Sequence, residues 1–181
     1  MMHKGVFALC RESQEIEMKR NQRGFSLIEL LIVVAIIGII AAIAIPNLLR
    51  SRQLANEASA ISSVRTVGTA QSTFQSTDGN GKEYAESLRV LADADLIDST
   101  LGSGAKSGYS FECAGTLSFK GEPSLFDTTA VPQSSGTFGT GNRAFYANES
   151  FVVYESVSLL NGGKTPSART DRSVQDGNPI D

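Results

Sequence analysis

Hydrophobic and polar residues are unevenly spread along this chain of 181 residues. From Phe25 to Leu49 the sequence FSLIELLIVVAIIGIIAAIAIPNLL runs for 25 residues with a single charge, Glu29. The segment is apolar on every helical face, and as a helix it would extend about 37 Å, enough to cross a hydrocarbon core of about 30 Å. After Pro46 the pattern changes. Leu54, Ala58, Ile61, Val64, Val67 and Phe74 recur three or four apart, with Gln71 holding the place between the last two. Asn56, Glu57, Ser59, Ser62, Arg65 and Thr69 fill the other faces. This spacing predicts an amphipathic helix that lays one stripe on a small domain and ends near Asp78-Gly79-Asn80-Gly81. The two halves together make a helix of about 50 residues, close to 75 Å if unbroken.

Beyond that breaker, Tyr84 to Ile97 reads as a short helix with Leu88, Leu91 and Leu96 inward, and Gly102, Gly104 and Gly108 punctuate the next turn. Tyr109, Phe111 and Cys113 then alternate with Ser110, Glu112 and Ala114, as in a half-buried strand. Leu117–Lys120, Thr128–Val131, Arg143–Ala147 and Phe151–Ser156 are further strand candidates between Gly- and Ser-rich turns. Residues 161–181 are polar and interrupted by Gly and Pro, the composition of a flexible tail. The expected class is α+β: one long helix on a small antiparallel sheet of three or four strands. By composition the chain divides into 1–24, the apolar helix 25–49, the amphipathic helix 50–77, a head at 78–160 and the tail 161–181.

Charge and rare residues narrow the function. The net charge of −3, with 16 Lys+Arg against 19 Asp+Glu, does not suit a nucleic-acid binder. A single histidine, His3, excludes His-ligated zinc and His-based triads from the main body of the chain. Two cysteines, Cys10 and Cys113, cannot build a disulfide framework or a four-thiolate site. No catalytic residue, metal ligand or cofactor site is expected. Asp78-x-Asn80 opens like a calcium loop, but Lys82 takes a ligand place and Glu83 stands where the loop glycine belongs, so a plain turn is expected. Asp93, Asp95 and Asp98 read as a solvated helix end. Asn148-Glu149-Ser150 fits a glycosylation sequon.

Lys19, Arg20 and Arg23 precede the apolar run, so the positive-inside rule keeps the N-terminal side cytoplasmic and exports everything after Leu49. Arg50 and Arg52 can reach back to the outer headgroups. A cleaved secretory signal competes, since Ala42-Ile43-Ala44 could serve a signal peptidase. The run exceeds the usual h-region, however, it carries Glu29, and helical periodicity resumes directly after Pro46.

The junction Arg23-Gly24-Phe25-Ser26-Leu27-Ile28-Glu29-Leu30 resembles the type IV prepilin signature shared by pilins and type II secretion pseudopilins. The resemblance covers about 30 residues. It implies cleavage between Gly24 and Phe25 by a prepilin peptidase that also N-methylates Phe25. Glu29 is the fifth residue after the glycine and Pro46 the 22nd, the places of the family's glutamate and kinking proline. A glycine at the cut lets the extended backbone approach a protease closely. The resemblance implies that Glu29 of one subunit neutralises the Phe25 ammonium of a neighbour; pairing with its own N-terminus, or protonation, is the alternative for a lone subunit. Counted from Met18 the leader is Met-Lys-Arg-Asn-Gln-Arg-Gly, wholly basic and the family's common form, whereas counting from Met1 includes Glu12, Glu15 and Glu17.

Residues 1–24 hold five of the basic and three of the acidic side chains, which leaves 11 against 16 after cleavage. The exported head is therefore acidic and offers no groove for direct nucleic-acid contact. The implied protein is a structural subunit of a type IV pilus or pilus-like filament. It would sit as a single-pass inner-membrane precursor with a periplasmic head, then enter an extracellular pilus or periplasmic pseudopilus. The implied partners are the peptidase/N-methyltransferase, other pilin subunits, an inner-membrane platform protein and, indirectly, an assembly ATPase. A type II secretion pseudopilin is the nearest alternative, although this chain lacks the tryptophan and clear calcium loop usual in the major pseudopilin. A membrane-anchored binding protein that never polymerises is the third. Many type IV pilins close a C-terminal loop with a disulfide; Cys113 would be the sole cysteine after cleavage, and its place in the strand pattern predicts an inward, unpaired thiol.

Overall fold

A computed structural model describes residues 24–116, 124–156, 165–168 and 173–180. The chain divides into two compact units, one through Ile40 and one from Ala41. Helix α1 (Leu27–Ser76) contains Pro46. In the first unit every residue of α1 is exposed, with no packing partner among the described residues for its leucines, isoleucines and valines.

The second unit is built around the latter part of α1, which buries Ala60, Val64 and Val67 completely. The apolar spacing places Leu54 and Ala58 inward, but the structure turns both to the exterior. The buried face instead runs through Gln53, Glu57, Ala60, Val64, Val67 and Gln71. Gln53, Glu57 and Gln71 each find hydrogen-bond partners in the head, which an apolar residue could not have satisfied.

At the helix end, Gly79 N–H donates to Phe74 O at 2.8 Å and Gly81 N–H to Gln75 O at 2.7 Å. Asn80 and Gly81 take φ of 51° and 74°, the left-handed region in which asparagine and glycine are least strained. The segment that opens like a calcium loop is thus the turn that ends α1.

The helix expected over Tyr84–Ile97 is shorter, and a second short helix follows beyond that range. Helix α2 covers Leu88–Asp93 and α3 covers Ser99–Gly102. Gln71 holds Ala85 from both sides, donating from Nε2 to its carbonyl at 2.9 Å and accepting its N–H at Oε1 at 2.8 Å, so those backbone groups cannot join a helix. After α2, Asp95 takes φ of 56° and Leu96 N–H donates back to Leu91 O at 3.0 Å, a left-handed helix stop. Asp98 then caps α3, accepting from Leu101 N–H at 2.9 Å, and pairs with Lys106 Nζ at 2.9 Å. The Lys106 hydrogen bond, with that cap, holds the Asp98 carboxyl below its ordinary range.

Strands β1 (Ala105–Lys106), β2 (Tyr109–Thr116), β3 (Leu125–Pro132), β4 (Phe145–Asn148), β5 (Val153–Glu155) and β8 (Asn178–Ile180) form one antiparallel sheet in the order β1-β2-β3-β4-β5-β8. Strands β6 (Ser167–Ala168) and β7 (Val174–Gln175) pair separately. The register sets Phe111 opposite Ala130, Ala130 opposite Phe145 and Val153 opposite Ile180. Phe111, Ala130, Phe145 and Val153 share one core with Ala60, Val64 and Val67 of α1, and Ile180 packs against it. The α+β class therefore holds, with six strands rather than three or four.

The candidate strand Leu117–Lys120 lies outside the described residues. The stretch read as a flexible tail differs in its described part: Asn178–Ile180 pair with β5, and Pro166 is fully buried. Local composition hides this because Pro179 sits on an edge strand, where its missing N–H costs no ladder bond. Asn148 is buried, and its Oδ1 accepts from Ser150 N–H at 3.0 Å and Ser150 Oγ at 2.7 Å. The sequon asparagine thus holds a turn after β4.

Candidate functional site

The residues singled out by sequence fall at the start of α1 and at its proline. Gly24, Phe25 and Ser26 precede the helix and are exposed. Ser26 stands at the N-cap: its carbonyl accepts from Glu29 N–H at 3.1 Å and Leu30 N–H at 3.2 Å. Ser26 and Glu29 have the spacing of a capping box, and a carboxylate in the first turn complements the helix dipole. Glu29 therefore has a local reason to be there in addition to any partner in a neighbour. A Cβ built on Gly24 would meet nothing within 4 Å, so the fold itself makes no demand for glycine at that position.

Pro46 lies in the second unit. It removes the N–H that would bond Ala42 O, and one residue on, Asn47 Nδ2 donates to Ile43 O at 3.1 Å. Pro46, Gln53, Leu54, Glu57, Thr137 and Arg143 line an open cleft of about 430 Å³.

A part-buried ion network, unmarked in the sequence pattern, fixes α1 to the head beside this cleft. Arg143 donates from Nη2 and Nε to Glu57 Oε2 at 2.7 and 3.0 Å, and from Nη1 to Glu155 Oε2. Asn142 N–H donates to the other Glu57 oxygen at 2.9 Å. Burial works against the Arg143 charge, but the bonds and charges of Glu57 and Glu155 outweigh it and raise its pKa. Tyr109 Oη donates to Arg143 O at 2.9 Å, and burial, with the Glu57 charge, lifts its phenol above the ordinary range. A Cβ at Gly141 would lie 2.1 Å from Tyr109 Oη, so only glycine lets the loop pass there. The sole prior signal was Glu57 itself, a charge flanked by apolar positions at helical spacing.

Cys113 is largely buried on β2 and accepts from Gln71 Nε2 at 3.0 Å. Burial pushes its thiol up to about 11. This is the inward, unpaired cysteine that strand alternation predicts. None of these groups forms a nucleophile–base pair. The arrangement is suited to holding one helix against one sheet while leaving another stretch of the same helix bare.

That bare stretch carries the decisive match. Residues 19–45 fit the family model described as the prokaryotic N-terminal methylation motif. Beyond this motif, the chain is similar to type IV pilins and to type II secretion core proteins. It is similar to the type IV major pilin protein PilA of Myxococcus xanthus, 44% identical over 68 residues, which are 38% of this chain and 31% of the relative. Against the type IV wide pilus major component of Thermus thermophilus it is 66% identical over 38 residues, 21% of this chain and 29% of the relative. Against the type II secretion system core protein G of Escherichia coli it is 27% identical over 89 residues, 49% of this chain and 61% of the relative. The chain thus spans about a third of these two pilins and less than two thirds of the secretion protein. No solved structure matches the chain significantly. The matched residues 19–45 include the stretch of the first unit that exposes its apolar surface.

Proposed function

We propose that this chain is the precursor of a structural filament subunit, a type IV pilin or pilus-like protein. It inserts as a single-pass membrane protein, is cleaved between Gly24 and Phe25, is N-methylated on Phe25, and then polymerises. The carrying observation is that the segment matching the methylation motif is also an apolar helix, exposed from Leu27 to Ile40 among the described residues. Such a helix needs either lipid or other copies of itself. Moving from lipid to a filament core gains little from the hydrophobic effect, because lipid tails are as apolar as leucine. Helix packing and pairing of Glu29 with a neighbour's Phe25 ammonium set the register instead, while the head forms the outer surface. Pro46 gives the helix a local break at its exit from the apolar block.

Processing calls for a peptidase that also methylates, and assembly for other pilin subunits, a membrane platform and an ATPase acting through it. The head would be periplasmic before assembly and extracellular or periplasmic afterwards, and neither catalysis nor direct nucleic-acid binding is assigned to it. The alignment with core protein G, over half of this chain and 61% of the relative, supports a secretion pseudopilin as the second reading. Sheared surface filaments whose subunit has the mass and N-terminus of N-methyl-Phe25 protein support the pilin. Loss of secretion without loss of surface filaments, on deletion of the gene, supports the pseudopilin. A mature N-terminus at Ile45, the product of ordinary signal peptidase, overturns both.

A further inference from the structure

Residues 133–141 read Gln-Ser-Ser-Gly-Thr-Phe-Gly-Thr-Gly, a polar loop with one large apolar side chain, Phe138. That side chain is 82% exposed, yet the loop carrying it is firmly held. Gln53 Nε2 donates to Gly136 O at 2.6 Å and to Gly139 O at 3.1 Å, on either side of the phenylalanine. Asn56 Nδ2 donates to Thr140 O at 2.9 Å, and Thr140 N–H donates to Ser134 O at 2.8 Å to close the loop. A loop so anchored, with its one aromatic ring turned outward, presents that ring to something.

Position along α1 indicates what. Gln53 stands four residues beyond Leu49, the end of the apolar block, or about 6 Å along the helix axis. The headgroup layer outside the hydrocarbon core is about 5–7 Å deep on each side. Ile45, Leu48 and Leu54 are exposed nearby, and so are Arg50 and Arg52, neither of which makes an ion pair among the described residues. An apolar tip at the same headgroup depth as two guanidinium groups, Arg50 lining the cleft with Thr137 and Arg52 on another face of the helix, is the combination that seeks an anionic membrane surface.

The geometry points to a lipid-contacting foot. Before assembly, Phe138 seats at the headgroup–acyl boundary of the bilayer while Arg50 and Arg52 meet lipid phosphates, so the head is held against the membrane rather than swinging above it. Entry into a filament then breaks this contact. The inference rests on the reading of residues 25–49 as membrane-spanning. A second copy of the chain is the rival occupant, but the depth of the loop and the two arginines favour lipid.

The chain contains no tryptophan, so one introduced tryptophan reports without background. Full-length Phe138→Trp, Phe151→Trp and Ile37→Trp proteins are reconstituted in phosphatidylethanolamine/phosphatidylglycerol vesicles with lipids brominated near the headgroup. Phe151 is the control: it is exposed in the same unit but packs beside Gly68, well beyond headgroup depth. Bromine is expected to quench Phe138→Trp emission by about half, with a blue shift, and to leave Phe151→Trp unchanged. Adding Arg50→Ser and Arg52→Ser should weaken the Phe138→Trp quenching in these vesicles, and by more than in phosphatidylcholine, whose phosphates are offset by choline. An unquenched Phe138→Trp beside a quenched Ile37→Trp overturns the foot and leaves the membrane anchor standing. An unquenched Ile37→Trp overturns both. Equal quenching of Phe151→Trp also overturns the foot, as does Phe138→Trp shielding from acrylamide that grows with protein density without bromine quenching.

Discussion

Ile36, Ile37, Ile39 and Ile40 are each more than half exposed, while Ala60, Val64 and Val67, later in the same helix, have no exposure at all. The first group belongs to a stretch apolar on all faces, which no single small domain could cover. The second belongs to a stripe one face wide, which a six-stranded sheet covers well. One continuous helix thus holds two kinds of burial, one completed within the chain and one left for lipid or other subunits. Damage should divide along the same line: changes in the first stretch should alter processing and assembly with no effect on head stability, and changes in the second should do the reverse.

Gly24→Val should have the largest effect. The fold tolerates a side chain there, so the protein should insert normally, yet bulk at the cut should leave full-length precursor in the membrane, read by mass and N-terminal sequencing. Processing at the wild-type rate would show that the glycine is incidental.

Glu29→Ala should insert as well or better and still be cleaved, but filament yield should collapse, because an uncompensated buried charge costs about 3–5 kcal/mol at every subunit contact. Glu29→Gln separates the two roles of the residue. It keeps a side chain able to complete a capping box with Ser26 and loses the counter-charge, so it should match Glu29→Ala in sheared-filament yield. Wild-type yield from Glu29→Gln would make helix capping the whole role of Glu29.

In the second stretch, Gln71→Ala leaves both backbone groups of Ala85 unpartnered in the core, a loss of about 2–4 kcal/mol. Thermal unfolding of the detergent-solubilised protein should show it, with cleavage after Gly24 unchanged. Glu57→Gln should cost somewhat less, about 1–3 kcal/mol, since Arg143 keeps Glu155 and remains a third exposed. If either variant also blocked processing, the division between the two stretches would fail.

The smallest effect concerns Cys113. Its ordinary pKa of 9.0 rises to about 11 in the folded protein. Below 9 both states hold the proton and stability is unaffected. Between 9 and 11 only the unfolded chain ionises, so stability should fall as pH rises through that window and level off above it. A Cys113→Ser protein should lack this slope. The native thiol should also label slowly near neutral pH and rapidly once denatured.

Reading the sequence alone worked best where the physics is local. Twenty-five residues with one charge leave a surface that water solvates poorly, and Gly24, Phe25 and Glu29 lie exposed within the matched methylation motif, whose pattern needs no tertiary partner to be read. Strand alternation likewise placed Tyr109, Phe111 and Cys113 on one face. Tertiary structure decided which side of the amphipathic helix turns inward. Apolar spacing chose Leu54 and Ala58, but Glu57 and Gln53 could be buried because Arg143, Asn142 and the 136–139 carbonyls arrive from more than 80 residues away. The same holds for Asn178–Ile180, at the end of a polar segment yet strand in fact, because β5 offers them an open edge. Periodicity reports what a residue would do alone on a helix or strand; only the assembled head supplies the partners that make burying a charge or an amide favourable.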